Sequence, residues 1–436
     1  MKKSIYNHLF VIENISVLFN CRTHKLLLVD DCLKELYSDY QPQEIKNLNA
    51  SFYTALCDAS MIVDDEINEF AEVKKELEQR DYDESLFHII INPTLKCNFQ
   101  CWYCYENHGY PSNMNNRVFE NTKLFIKKVF ADDKVKTVKI SFFGGEPLLK
   151  YQDIIIPLLE YVNGLASSTN KKLIIHFTTN GFLLNKERID QLKTLNATSF
   201  QITLDGNEEH HNNVRFDKAN HNSYRTILTN VRHIVKNRMS VILRINYTTK
   251  NIKTIADVLN DISDIPSKSK ELIIFSLNRV WQDEEYNLDK EIEEIESQIE
   301  KCGFKSLYSF GDGHFQYACY ADRYNEVVIN YNGDIYKCNA RDFKNENAEG
   351  ILTDNGEILW NEKYQERMTC RYKNRPCFTC SIFPLCNGGC RQYILEHQNQ
   401  EYCLFDFDEV KKLKFVQSMI QCRSAKLDET LELIHN

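Results

Sequence analysis

The stretch Asn92-Pro93-Thr94-Leu95-Lys96-Cys97-Asn98-Phe99-Gln100-Cys101-Trp102-Tyr103-Cys104 follows an apolar run and places three cysteines in one short loop. A [4Fe–4S] cluster bound by three thiolates keeps one iron open to a small molecule, whereas a cluster with four cysteine ligands is coordinatively closed. The alternative is a zinc knuckle with His108 as the fourth ligand, because zinc sites close with a fourth Cys or His. The favoured interpretation of the loop is therefore a reaction centre.

The loop resembles the cluster motif of the radical S-adenosylmethionine (SAM) enzymes, including the aromatic Tyr103 directly before the last cysteine. The resemblance implies that Cys97, Cys101 and Cys104 hold the catalytic cluster, with Tyr103 among the cofactor-binding residues. In that family the open iron binds the amino and carboxylate groups of SAM. Reductive cleavage then yields a 5′-deoxyadenosyl radical that abstracts a hydrogen atom, which is cofactor chemistry that the protein positions and shields.

The chain has 436 residues and a net charge of −9, which is typical of a soluble protein of two or three domains. It has no block of Lys or Arg, so nucleic acid and anionic membranes are disfavoured as partners, and a peptide or small molecule is favoured. Polar residues such as His8 interrupt the apolar stretches of the first twenty residues, so we expect no signal peptide and no membrane-spanning helix there. We expect a cytoplasmic protein whose sixteen cysteines bind metal rather than form disulfides.

Apolar, β-rich runs alternate with helical patterns from residue 86 onward, as in repeated βα units around a parallel sheet. Motifs with polar residues and glycine follow the first four runs, at the strand ends where βα barrels assemble active sites. We predict an α/β fold whose centre is a partial (β/α)6 barrel. The six predicted strands are 86–92, 137–143, 172–178, 199–204, 241–247 and 271–276.

Three domains are predicted: 1–83, 84–300 and 301–436. The first is a small α+β module with short strands and then helices, ending in an acidic stretch that we expect to be an exposed bridging helix over 64–84. It resembles the winged-helix-like, leader-recognition domain of maturases that act on ribosomally made peptides. Such domains pair an extended peptide onto a sheet edge. The alternative is a structural cap on the barrel.

The turn Gly144-Gly145-Glu146 follows the second predicted strand and resembles the family's element for the amino group of SAM. Its backbone carbonyls and Glu146 could accept hydrogen bonds from an ammonium group. Asn180 and Thr203 lie at the ends of the third and fourth strands, where they either contact SAM or belong to turns. Arg215 resembles a family arginine that either binds a carboxylate or forms a salt bridge. The neighbouring His210 and His211 are predicted to lie on the loop surface.

Seven further cysteines form an ordered series that resembles the SPASM extension of radical SAM enzymes that modify peptides and proteins. Seven thiolates exceed one four-ligand site, so two metal centres are implied. By resemblance these are two auxiliary [4Fe–4S] clusters, which with the catalytic one makes three. Cys377, Cys380, Cys386 and Cys403 hold one auxiliary cluster, and Cys319, Cys338 and Cys390 hold the other.

Seven cysteines leave the second auxiliary cluster without a fourth ligand. Either Cys302 or Cys370 supplies it, or the iron stays open for a substrate thiolate or an exogenous ligand. Two zinc ribbons are the alternative. Sulfatase-maturing relatives carry an aspartate directly after the second SPASM cysteine, where this chain has Asn339, and an amide cannot act as a base. Asp342 is the remaining candidate base.

The resemblance implies an oxidoreductase that abstracts hydrogen from a ribosomal precursor peptide and forms a thioether or carbon–carbon crosslink. Its partners are the precursor with its leader sequence and a reductase or flavodoxin-type electron donor. The alternatives are a SPASM-type dehydrogenase acting on proteins, such as a sulfatase-maturing enzyme, and a non-enzymatic zinc scaffold.

Overall fold

The computed structural model describes residues 1–12, 15–109, 111–217, 222–283, 287–307, 319–397, 400–417 and 419–420. Contacts between residues divide the chain into two compact units. Unit 1 comprises Met1–Asp83, Phe310–Arg323 and Gln365–Asn436, and unit 2 comprises Glu84–Ser309 and Tyr324–Tyr364. This grouping does not follow the predicted boundaries, because residues 324–364 of the predicted third domain belong to unit 2. The three-domain division stays a prediction.

Unit 1 begins with the small α+β module that the sequence predicts. Strands β2, β3 and β4 form an antiparallel sheet in that order, and β1 pairs with β5. Asparagine or aspartate side chains cap three of the helices; for example, Asp30 accepts a 2.8 Å hydrogen bond from the backbone N–H of Leu33. The elements are β1 (Lys2–Lys3), β2 (Asn7–Ile12), β3 (Ile15–Asn20), β4 (Leu26–Val29), α1 (Asp31–Asp39), α2 (Pro42–Leu48), α3 (Ala50–Asp58), β5 (Ile62–Val63) and α4 (Glu69–Asp81).

Helix α4 differs from the exposed bridging helix that its acidic composition suggests. Glu69, Val73, Leu77 and Asp81 recur every four residues and are all buried, because this spacing places them on one helical face. Val73 and Leu77 join an apolar core of unit 1 that also contains residues from 377 to 420. The other charged residues of the helix occupy its remaining faces.

Unit 2 is built on a sheet of eleven strands. The strands from β6 to β12 are parallel and adjacent in chain order, β13 joins β6 in parallel, and β14 to β16 continue antiparallel. The strands are β6 (Leu86–Ile91), β7 (Thr137–Phe142), β8 (Lys172–Thr179), β9 (Ser199–Leu204), β10 (Ser240–Tyr247), β11 (Ile273–Arg279), β12 (Lys305–Leu307), β13 (Glu326–Ile329), β14 (Asp334–Tyr336), β15 (Gly350–Leu352) and β16 (Ile358–Trp360).

The six predicted strands correspond to β6–β11, and the sheet has two edges, so the open α/β barrel is confirmed. Strands β12 and β13 add two parallel neighbours that the sequence analysis did not identify, because each has only three or four residues. The helices of unit 2 are α5 (Asn116–Ala131), α6 (Ile156–Thr169), α7 (Lys186–Thr194), α8 (Glu208–Val214), α9 (Ser223–Lys236), α10 (Ile255–Asp261), α11 (Ser267–Lys270) and α12 (Asp289–Lys301). Later helices are α13 (Glu362–Cys370), α14 (Phe383–Cys386) and α15 (Arg391–Glu396).

A row of phenylalanines fixes the register of the central strands. Phe142, Phe177 and Phe200 are aligned on β7, β8 and β9 and are fully buried. Their rings stack with centroids 4.9 and 5.3 Å apart. A slip by one residue would turn these rings to the other face of the sheet. The row therefore determines which residues reach the carboxyl ends of the strands, where the predicted motifs lie.

No helix in the described part of the chain is both long enough and apolar enough to cross a membrane.

Candidate active site

The cysteine loop lies directly against the glycine turn that follows β7. The backbone N–H of Gly145 donates to the carbonyl of Thr94 at 3.2 Å, and that of Glu146 donates to Lys96 at 2.8 Å. A Cβ atom at Gly145 would lie 2.4 Å from the carbonyl oxygens of Leu95 and Lys96, which is closer than real Cβ atoms approach. Glycine is required here because the two backbones touch.

Gly144 is restricted in the same way. Its φ of +103° favours glycine, and a Cβ atom would meet the carbonyl of Thr94 at 2.4 Å. The two glycines border the cavity, as the predicted contact with SAM requires, and they also let the turn hold the cysteine loop.

Glu146 lies beneath the cavity wall and is fully buried. Its carboxylate accepts hydrogen bonds from the hydroxyl of Thr179 at 2.8 Å, the backbone N–H of Asn180 at 2.8 Å and the backbone N–H of Leu148 at 3.0 Å. Burial raises the pKa of Glu146, and these hydrogen bonds oppose the rise. The carboxylate joins the end of β7 to the end of β8. Its contact with the amino group of SAM stays a prediction.

Tyr103 fastens the end of the cysteine loop to the interior of the barrel. Its hydroxyl donates to the Asp205 carboxylate at 2.7 Å and accepts hydrogen bonds from Arg215 Nη1 at 2.8 Å and Asn246 Nδ2 at 3.1 Å. Asp205 directly follows β9, Arg215 directly follows α8, and Asn246 lies on β10. One phenol therefore links the loop to three parts of the barrel. Burial raises the pKa of Asp205 to about 6, and Arg215 opposes this rise.

Asn180 and Thr203 both border the cavity. The Asn180 amide donates to Asn98 Oδ1 at 2.8 Å and lies 4.0 Å from Cys97 Sγ, which also accepts from the backbone N–H of Phe99 at 3.4 Å. N–H groups aimed at a sulfur stabilise its thiolate form. Whether either residue contacts SAM directly stays a prediction.

The prediction that both histidines before Arg215 lie on the surface is wrong for His211. That side chain is fully buried, and its Nδ1 accepts a 3.3 Å hydrogen bond from the backbone N–H of Asp205. The imidazole thus orders the turn after β9.

One open cavity gathers nine of the ten residues predicted for the SAM-cleaving site. Cys97, Cys101, Cys104, Tyr103, Gly144, Gly145, Asn180, Thr203 and Arg215 line it, and Glu146 supports it from below. The sequence analysis missed the opposite wall, including Arg244, Asn246, Arg279 and Trp281. Strand periodicity contained part of this signal, because Arg244 and Asn246 alternate with buried apolar residues along β10.

The three cysteines fit a cluster better than a single ion. Burial raises the pKa of all three thiols, so a bound metal would be needed to keep them as thiolates at neutral pH. In the described part of the chain, no three Cys, His, Asp or Glu side chains are grouped as ligands of one ion. A [4Fe–4S] cluster instead takes each thiolate on a different iron.

His108 lies close to Cys104, as the zinc alternative requires, but it has another function in the structure. Its Nδ1 is 2.6 Å from the carbonyl of Leu95, which can only accept, so Nδ1 carries a proton and, in the neutral imidazole, Nε2 carries none. Nε2 lies 3.3 Å from Cys104 Sγ and can accept the thiol proton. The imidazole bridges two parts of the cysteine loop.

Residues 91–262 match the model of the Radical SAM superfamily. The chain therefore contains a radical SAM domain. A cysteine-type anaerobic sulfatase-maturating enzyme from Clostridium novyi is 24% identical over 343 residues, which cover 71% of this chain and 88% of that protein. The radical SAM cyclopropyl synthase TigE from Paramaledivibacter caminithermalis is 25% identical over 351 residues, covering 73% of this chain and 70% of that protein.

The crystal structure of Streptococcus suis SuiB bound to precursor peptide SuiA has a TM-score of 0.55 to this chain at 16% identity, covering 92% of this chain and 98% of that chain. This likeness shows a shared fold. Radical SAM enzymes use SAM and a [4Fe–4S] cluster, and the cysteine loop and glycine turn are the residues of this chain that would hold them.

Four of the C-terminal cysteines of this radical SAM enzyme lie close together in unit 1. Burial and, to a smaller extent, the thiolates of Cys377, Cys380 and Cys403 together raise the pKa of Cys386 to about 12. The Asn374 amide donates to Cys377 Sγ at 3.1 Å and to the carbonyl of Tyr402 at 2.6 Å, which holds two parts of the group. Their assignment as ligands of one auxiliary cluster stays a prediction.

The other three predicted ligands are divided between the units. Cys319 and Cys390 belong to unit 1, and Cys338 belongs to unit 2, two residues after β14. Of the two candidate eighth ligands, Cys370 is buried and its thiol donates to the carbonyl of Arg367 at 3.2 Å. Cys302 packs, partly buried, against the apolar core of unit 2.

A buried cluster of four charges surrounds the chain next to Cys319 and Cys390. The Asp81 carboxylate, at the end of α4, accepts from Arg371 at 2.9 Å and from Arg391 at 2.7 Å. Asp322 contacts both arginines as well, with 3.2 Å to Arg391 Nε. All four side chains are at most 4% exposed. Arg391 directly follows Cys390, and Asp322 comes three residues after Cys319, so the cluster fixes the backbone beside both cysteines.

The segment after Cys338 lies beside the cysteine loop in unit 2. The Tyr105 hydroxyl donates to the carbonyl of Asn339 at 2.8 Å, and the Asp342 carboxylate accepts from the backbone N–H of Asn107 at 3.1 Å. Asp342 does not line the cavity. Its position supports a structural contact, and its role as a base stays a prediction.

Proposed function

We propose that this radical SAM enzyme modifies a ribosomally made precursor peptide by forming a thioether or carbon–carbon crosslink. The observation that carries the proposal is the single open cavity, because it joins the cysteine loop and the glycine turn to a wall that ends in exposed Trp281. A substrate reaching in from that side would meet the reacting centre at the bottom. The relatives that act on peptides or proteins support the same substrate class.

When bound, the cluster and SAM supply a 5′-deoxyadenosyl radical that abstracts a hydrogen atom. The protein holds the cysteine loop against the glycine turn through backbone contacts and against the barrel through Tyr103. Both restraints limit movement of the cluster ligands relative to the strand ends. In this proposal the C-terminal cysteines hold two auxiliary [4Fe–4S] clusters, and a flavodoxin-type protein or reductase supplies electrons.

The N-terminal module is proposed to bind the leader of the precursor. Strand β4 pairs only with β3 among the described residues, so it is an edge strand. It presents Leu26 and Leu28, of which 40% and 65% are exposed. An extended peptide can add to such an edge through backbone hydrogen bonds, with pockets for alternate side chains.

A protein-modifying dehydrogenase is the second candidate function. The Clostridium novyi sulfatase-maturating enzyme, which aligns over 88% of its length, favours it. Asn339 and the contact of Asp342 with Asn107 count against it, because neither provides a carboxylate in the cavity. Both candidates require the same radical chemistry and differ in the product.

The first experiment tests the shared chemistry. Anaerobically reconstituted protein is incubated with SAM and dithionite, and 5′-deoxyadenosine is measured by liquid chromatography. We expect release by the native protein and none after Cys97, Cys101 and Cys104 are replaced by alanine. The matched control replaces Cys32 and Cys57, which lie outside every predicted cluster. Release by the triple variant would refute the proposal.

A second experiment separates the products. Short peptides encoded beside the gene are treated with the enzyme and analysed by mass spectrometry. A crosslink removes two hydrogen atoms and blocks fragmentation between the joined residues. A dehydrogenase that leaves a carbonyl gives a product that reacts with a hydrazide probe, and that outcome would favour the second candidate.

A further inference from the structure

Arg244 lines the cavity but is not one of the residues that the family resemblance assigns to SAM. It lies on β10, and its neighbour in the register on β9 is Thr203, which also lines the cavity. Parallel strands lie about 4.8 Å apart. Three spacings separate β10 from β7, so Arg244 is roughly 14 Å along the sheet from the turn that would hold the amino group of SAM.

The guanidinium of Arg244 has little compensation for its charge. Its Nε donates to Asn246 Oδ1 at 2.9 Å, and no carboxylate among the described residues lies within ion-pair distance of it, although Asp205 offsets part of its charge from further away. Burial lowers its pKa accordingly. Arg215, by contrast, already contacts Asp205 and Tyr103. A half-buried guanidinium bordering an open cavity without a carboxylate partner favours an anionic ligand.

The outer end of this wall is aromatic and cationic. Tyr105 and Trp281 stack with ring centroids 6.0 Å apart, and Arg341 lies 5.2 Å from the Trp281 ring. Trp281 is 63% exposed. This arrangement gives a peptide an apolar surface at the mouth of the cavity and positive charge further in.

We infer that Arg244 binds the carboxylate of an acidic side chain of the peptide substrate, next to the residue that loses hydrogen. The inference rests on the proposed function, since it needs a peptide in the cavity. SAM also carries a carboxylate, but this group is attached to the same carbon as the amino group. Arg215, which lines the same cavity, is the residue whose resemblance to a family arginine offers a partner for that carboxylate, and this leaves Arg244 for the peptide.

The test uses the anaerobically reconstituted, SAM-loaded protein and two acetylated, amidated pentapeptides, Ala-Ala-Glu-Ala-Ala and Ala-Ala-Gln-Ala-Ala. Equilibrium dialysis measures the affinity for each peptide, and separately the affinity for SAM. We expect the Glu peptide to bind about tenfold more tightly, as one charge-assisted hydrogen-bonded pair provides. Arg244→Gln should abolish this preference, and Arg244→Lys should keep part of it.

Arg225→Gln serves as the matched control, because Arg225 is 55% exposed and pairs with Glu208 and Asp261 outside the cavity. It should keep the preference for the Glu peptide. Equal affinity of the native protein for the two peptides, or no binding of either, would overturn the inference. A preference that survives Arg244→Gln while SAM binds severalfold more weakly would assign Arg244 to SAM and also overturn it. Release of 5′-deoxyadenosine would still support the proposed function in each of these cases.

Discussion

Replacing Asp81 by asparagine should weaken the part of unit 1 that carries the C-terminal cysteines. Asp81 is the only carboxylate besides Asp322 that contacts Arg371 and Arg391 in the described cluster, and both arginines are at most 2% exposed. Removal of one partner of a buried ion pair costs about 3–5 kcal/mol, because a buried charge is left uncompensated. Asparagine keeps one acceptor oxygen, and Asp322 remains, so we expect about 3 kcal/mol.

Hydrogen exchange with mass spectrometry suits this prediction, because it reports each region separately. A loss of about 3 kcal/mol corresponds to roughly 100-fold faster exchange in the segment 371–391. Peptides from β7–β9, in unit 2, should be unchanged. The matched control is Asp65→Asn, whose carboxylate is 67% exposed and pairs with the N-terminal amine. Surface pairs contribute about 0–1 kcal/mol.

Exchange in 371–391 that stays within about threefold of the native rate in Asp81→Asn would refute the reasoning, since it would show that Asp322 alone compensates both arginines.

The prediction also changes how a deletion of the N-terminal module should be interpreted. Removing residues 1–83 deletes Asp81 and part of the apolar core shared with residues 377–420. Loss of activity in such a deletion would therefore not demonstrate leader binding.

Three further substitutions test the site and the N-terminal module. Gly145→Ala should push the cysteine loop away from the turn and destabilise unit 2 by about 1–3 kcal/mol, as overpacking does, which thermal unfolding measures. It should also lower the release of 5′-deoxyadenosine at least tenfold, measured by chromatography. Gly164→Ala is the control, because the space around its Cβ position is open. Tyr103→Phe should lower the free energy of unfolding by about 1–3 kcal/mol, because Asp205 and Arg215 lose the hydroxyl that they share. Unfolding in urea measures this, and a variant as stable as the native protein would show that the Tyr103 hydroxyl does not fasten the cysteine loop. Leu28→Asp on β4 should weaken precursor binding in anaerobic titrations without changing the melting temperature, and unchanged affinity would exclude this edge as the leader site.

Much of the barrel could be predicted because local pattern and long-range packing agree there. Each of the strands β6–β11 contains a set of buried apolar residues, and helical patterns lie between the strands, which is typical of repeated βα units. The motifs at their ends could then be placed on one edge of the sheet. The nine predicted residues around one cavity follow from that placement.

Other features depend on which side chains meet in three dimensions. No local signal shows that the Tyr103 hydroxyl meets Asp205, since 102 residues separate them. The acidic composition of α4 suggested exposure, but its buried face joins residues almost 300 positions later, as Asp81 and Arg371 show. From the sequence, the glycines after β7 are explained either by an ordinary turn or by contact with a cofactor. The structure adds a third reason, because a Cβ atom at Gly145 would lie 2.4 Å from carbonyl oxygens of the cysteine loop.

Unit 1 combines residues 1–83 with residues that follow 364, and this affects how the protein can fold during synthesis. Ribosomes add about 5–20 residues per second, so roughly 15–60 s pass between translation of the two parts. During that interval Tyr6, Phe10 and Phe19 lack their later apolar neighbours. Nascent chains arrested at residue 364 should therefore be cut by protease within the first 83 residues, whereas released chains should resist. The proposed auxiliary clusters would then form only after synthesis is nearly complete.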